Sequence, residues 1–78
     1  MKLQINGDVR EFGDAPVPFA LAVLIETLGM KSDRVAVELN REIVPRDRWS
    51  DIILKDGDWL EIVHFVGGGL LDPQQELS

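Results

Sequence analysis

Only one stretch of this chain spaces its apolar residues at a helical period. Leu21, Leu24, Ile25 and Leu28, within Phe19 to Leu28, fall on one face of a helix. A lone helix cannot bury its own apolar stripe, so the rest of the chain must supply a sheet for it to lie on. Pro18 suits the first turn, where a missing N–H costs nothing, and Gly29 suits a left-handed cap. The spacing therefore predicts one helix over 19–28.

The flanking segments carry β signals. Leu3-x-Ile5 alternates, Asn6-Gly7-Asp8 is a hairpin turn because Asn and Gly tolerate positive φ, and Val9 to Phe12 can return antiparallel. Gly13 to Val17 reads as a loop. After the helix, Arg34 to Leu39 alternates again, Asn40-Arg41 occupies a turn position, and Ile43-Val44 is a short apolar pair ended by Pro45. Pro45 to Trp49 reads as an irregular turn or short helical segment, and Ile52 to Leu54 as a brief strand. Lys55-Asp56-Gly57-Asp58 is a turn, and Trp59 to Val66 is the longest unbroken β-rich run, which belongs at the centre of the sheet. The first and last strands are expected side by side and parallel, in an α+β fold with a mixed sheet and one main helix packed on one face.

At 78 residues the chain is expected to be one domain. Its 45% hydrophobic and 28% charged residues make an ordinary globular balance. A formal net charge of −6 disfavours nucleic acid and anionic lipid as partners. No window approaches the ~20 apolar residues of a membrane span, and Met1 to Asn6 lacks the apolar block of a signal peptide, so a cytoplasmic location is expected. Without cysteine there is no disulfide, thiolate metal site or side-chain persulfide. Arg41, Arg46 and Arg48 stand beside Glu42, Asp47 and Asp51, which reads as a solvated, partly paired surface.

Three consecutive glycines, Gly67 to Gly69, stand near the end. Composition alone leaves them open between a flexible leash and a functional arm. Taken with "NREIVPRDRW" at Asn40 to Trp49, the turn Lys55 to Asp58, and "EIVHFVGGG" at Glu61 to Gly69, the chain resembles the ThiS family of bacterial thiamine-pathway sulfur carriers over essentially all of Met1 to Gly69. Members have the ubiquitin-like β-grasp fold. The resemblance implies a β-grasp domain over 1–66, a flexible glycine arm over 67–69, and an extension over 70–78 that is disordered or removed.

It further implies a protein cosubstrate rather than an enzyme, with no catalytic side chain and no metal of its own. Gly69 would be the residue adenylated and converted to a thiocarboxylate, carried by Gly67 and Gly68. A ThiF-like adenylating enzyme would use ATP, and a thiazole synthase would receive the sulfur. Three extended residues reach about 10 Å, enough to enter a neighbouring pocket, and glycines pass a channel too narrow for side chains. A kindred carrier for molybdopterin or cysteine synthesis, or a ubiquitin-like binding or modifier module, is the alternative.

Along the last strand, period 2 sets Leu60, Ile62, His64 and Val66 against Trp59, Glu61, Val63 and Phe65. With Glu61 facing water, Val63 and Phe65 come to the open face, so Val63, Phe65 and Val66, beside the arm, are the expected partner-docking residues. His64, the one histidine, is read as structural or at the rim, and Trp49 and Trp59 as packing around the core's margin. Family chains end at the glycines, whereas here Leu70 to Ser78 follow and leave Gly69 an amide. Removal by a protease cleaving after Gly69 is expected; a partner-binding peptide or a copy inactive as a carrier are the other readings.

Overall fold

The computed structural model describes residues 1–65. Strand β1 (Lys2–Ile5) and strand β2 (Asp8–Glu11) form the expected hairpin, with Ile5 opposite Asp8. Its turn holds Asn6 at φ 51° and Gly7 at φ 89°, the mirror-image turn whose twist matches that of paired strands. A second hairpin of the same kind joins β3 (Val35–Leu39) to β4 (Glu42–Ile43), with Asn40 at φ 50° and Arg41 at φ 75°. The last strand, β5 (Trp59–His64), lies at the centre of a five-stranded sheet ordered β2-β1-β5-β3-β4. It runs parallel to β1 and antiparallel to β3, so the sheet is mixed, as expected.

The helix α1 (Leu21–Thr27) is shorter than its apolar spacing predicts. Pro18 lies before it rather than in its first turn, because the backbone of residues 19–21 is taken up by residues 52–54. The Leu54 N–H donates to the Phe19 carbonyl at 2.9 Å and the Leu21 N–H to the Ile52 carbonyl at 2.8 Å. Ile52 to Leu54 is accordingly no strand of the sheet but one side of a single antiparallel bridge, Ala20 to Ile53. The far end stops as expected. Gly29, at φ 75°, donates to the Glu26 carbonyl and Met30 to the Ile25 carbonyl, the paired bonds of a Schellman motif.

One face of the sheet and the helix close over Leu3, Ile5, Phe19, Leu21, Leu24, Ile25, Val35, Val37, Leu54, Leu60 and Ile62. Trp49 joins them at 3% exposure, which corrects its placing at the core's margin. The 3-10 segment Arg46–Asp51 packs on α1 and turns the indole inward. Its Nε1–H donates to the Val44 carbonyl at 2.9 Å, so burial leaves no polar atom unpaired. The opposite face of the sheet carries no helix among the described residues.

Candidate functional site: the open sheet face and the end of β5

The pairing of β5 with β3 settles which side chains share the open face. Val37 pairs with Ile62 and Leu39 with Leu60 toward the helix, which puts Ala36 with Val63 and Glu38 with Glu61 on the other side. Val63 is 56% exposed and Phe65 half-buried, so these two of the three expected docking residues reach this face. With Ala36, Val37, Glu38, Ile43 and Glu61 they line a shallow depression of about 270 Å³. Ile43, 76% exposed, was missed by sequence reasoning. Its pairing opposite Glu38 brings it there, and β4 is too short for its own alternation to reveal a face.

Beside this depression lies a second one of about 190 Å³, lined by Glu38, Arg41, Trp59 and Glu61. Trp59 is half-buried, and its Nε1–H donates to Glu61 Oε2 at 3.2 Å. The Arg41 guanidinium lies 4.7 Å from the Trp59 ring centroid, a cation–π contact. The expected pairing of the arginine group is therefore not formed. Among the described residues the one ion pair joins the Met1 ammonium to Glu11, while Arg46 Nη1 donates to the Ser32 carbonyl at 3.4 Å. His64 is exposed at the rim.

Two asparagines fix the strand that precedes the glycine run in sequence. Asn6 Nδ2 donates to the Ile62 carbonyl at 3.1 Å, and its Oδ1 accepts from the Ile62 N–H at 2.7 Å, so a side-chain amide continues the parallel ladder past the end of β1. On the other flank, Asn40 Oδ1 accepts from the Trp59 N–H at 2.9 Å and Nδ2 donates to Asp58 Oδ1 at 3.1 Å. Asp58 is buried at 6% exposure, and its Oδ2 also accepts from the Lys55 N–H at 2.8 Å. Beyond His64, the Phe65 N–H donates to the Arg34 carbonyl at 2.8 Å. The β3 flank of β5 is thus held as far as Phe65, and the β1 flank as far as Ile62. Val66, Gly67, Gly68, Gly69 and the segment 70–78 lie outside the described residues, and with them the expected modification site, arm and extension.

Among the described residues no group of three or more His, Cys, Asp and Glu side chains is placed to hold a metal ion, and no helix is long and apolar enough to cross a membrane. What distinguishes the molecule is a sheet face that carries no helix among the described residues, in a chain whose glycine run follows β5 in sequence. The model of the ThiS family matches residues 3–69, which spans both the fold and the glycines. The chain belongs to the ThiS family.

ThiS relatives agree at the levels of sequence and structure. The sulfur carrier protein ThiS of Bacillus subtilis is 40% identical over 68 residues, covering 86% of this chain and 98% of that protein. A crystal structure of the thiamine biosynthesis protein ThiS from Geobacter metallireducens superposes with a TM-score of 0.75 at 31% identity, over 87% of this chain and 99% of that one. A thiazole synthase of Paramagnetospirillum magneticum is 46% identical over 69 residues, 88% of this chain. Of that longer protein the chain spans 20%, about one fifth.

Proposed function

We propose that this ThiS-family chain is a sulfur carrier of thiamine biosynthesis, acting as a protein cosubstrate at a C-terminal Gly69. The observation that carries the reading is a family match that runs through the β-grasp core and stops at the third glycine, residue 69. Nothing in the chemistry asks for a catalytic side chain on the carrier. A Gly69 carboxylate oxygen attacks the α-phosphorus of ATP within a ThiF-like partner, and pyrophosphate leaves. The resulting mixed anhydride makes the carbonyl carbon an electrophile. A sulfide-level nucleophile then adds there and AMP departs, leaving a thiocarboxylate.

The open face supports the docking half of this reading. Val63, Phe65 and Ile43 form an apolar surface at the end of β5 that leads toward the arm, where a partner gripping the face would hold the glycines at its own active site. The long relative named thiazole synthase supports a synthase as the receiving partner. In the encoded chain Gly69 is joined to Leu70, so its carboxylate must be released by hydrolysis of that bond.

The test uses chain ending at Gly69, ATP and the adenylating enzyme from the same source. Mass spectrometry is expected to show the gain of one adenylyl group and, with a sulfide source added, replacement of one oxygen by sulfur. Absence of the acyl-adenylate would overturn the proposal. Intact mass from native cells addresses processing: a species ending at Gly69 is expected, and exclusive persistence of the 78-residue chain would refute cleavage.

A further inference from the structure

The open face is apolar at its rim but acidic at its middle. Glu38 and Glu61 are directly opposite each other on adjacent strands, and their side chains form the divide between the two depressions of the face. Like charges directly opposite in an antiparallel pair oppose folding. No cation of the described residues comes within ion-pair distance of either carboxylate: Arg41, which lines the same depression, is stacked on Trp59, and the indole Nε1–H of Trp59 donates to Glu61. Residues 66–78 contain no Lys, Arg or His that could serve instead. The fold thus keeps a like-charge pair, without an ion-pair partner among the described residues, in the middle of an exposed apolar surface.

Charge decides what can cover this surface. A second copy of the chain laid symmetrically on the same face would bring four carboxylates together under apolar contacts, in a molecule already at −6. Repulsion in a drying interface disfavours that arrangement. A partner surface that sets an arginine or lysine within an apolar ring meets the opposite case, because its cation relieves the repulsion while its ring covers Val63, Ile43 and Phe65. We infer that Glu38 and Glu61 together receive a basic side chain of the docking enzyme, and that they also keep the face from pairing with itself. This rests on the carrier reading above and names the chemistry by which the face selects its partner.

The experiment compares full-length wild type with the double variants Glu38→Gln/Glu61→Gln and Glu38→Lys/Glu61→Lys, using the adenylating enzyme of the same source as probe. The glutamine pair is expected to raise Kd about tenfold and to flatten its salt dependence, and the lysine pair to raise it at least a hundredfold. Relief of the like-charge pair is expected to move the urea midpoint of the glutamine variant upward, so folding and binding change in opposite directions. A role in folding alone would lower both. Sedimentation is expected to show the glutamine variant associating at concentrations where wild type is monomeric. Equal Kd for wild type and both variants, with adenylation of the Gly69-ended chain intact, would overturn this inference alone. Charge-dependent binding without adenylation would instead overturn the carrier reading alone. Failure of wild type to bind the enzyme at all would also overturn the inference.

Discussion

At Asn6 one side chain supplies both a donor and an acceptor to Ile62 while its backbone sits at φ 51°. Removing the amide leaves the Ile62 N–H and C=O of the central strand without these partners and removes one of the few non-glycine residue types that tolerate that φ. Asn6→Ala is expected to lower stability by about 1–3 kcal/mol, read from the urea midpoint, and Asn6→Asp by less, since an acceptor for the Ile62 N–H survives. Arg41 presents a different balance. It holds φ 75° without being glycine and keeps its guanidinium over Trp59. Arg41→Ala keeps the backbone strain and loses the ring contact, whereas Arg41→Gly loses the contact and the strain together. The glycine variant should be more stable than the alanine variant by about 1 kcal/mol; equality in chemical denaturation would show that the turn is unstrained.

Helix α1 and strand β5 are the elements whose geometry sets the site. The helix ends at Gly29, where a built Cβ would meet nothing within 4 Å, so the obstacle to another residue is the positive φ alone. Gly29→Ala is expected to cost about 1 kcal/mol in thermal or urea unfolding, with no loss of partner binding. On β5 the two faces are expected to respond differently to substitution. Leu60, fully buried, touches the helix side, and Leu60→Ala is expected to cost about 2–5 kcal/mol. Val63→Ala, three residues on and on the exposed face, should change stability by less than about 1 kcal/mol while weakening enzyme binding by about 1–2 kcal/mol in a titration. The parity of this strand was legible beforehand, since alternation with one acidic residue facing water suffices to assign both faces. The start of α1 was not. An apolar period continues through residues 19–21, but the carbonyl of Phe19 and the N–H of Leu21 are engaged by a segment more than thirty positions away in sequence.

For the whole molecule, a charge of −6 and an acidic pair on the proposed docking face predict electrostatically steered association with a basic enzyme surface. Stopped-flow mixing with the adenylating enzyme should show an association rate that falls roughly tenfold as salt is raised from low to high, with a smaller change in dissociation. A salt-independent rate would argue that apolar contact alone drives encounter. What the residues determined unaided was local: the period of the one helix, the two turns that need positive φ, the alternation that turns Leu60 and Ile62 inward, and the run of glycines. The family resemblance, carried by Asn40 to Trp49 and Glu61 to Gly69, placed these in one fold. Tertiary structure alone decided that Trp49 is buried, that Ile43 joins Val63, that Glu38 faces Glu61, and that Asn6 reaches Ile62 across 56 positions of chain. The physical reason is range. Periodicity and turn chemistry are written within a few neighbouring residues, whereas a contact between distant positions exists only after the sheet has closed and fixed its register.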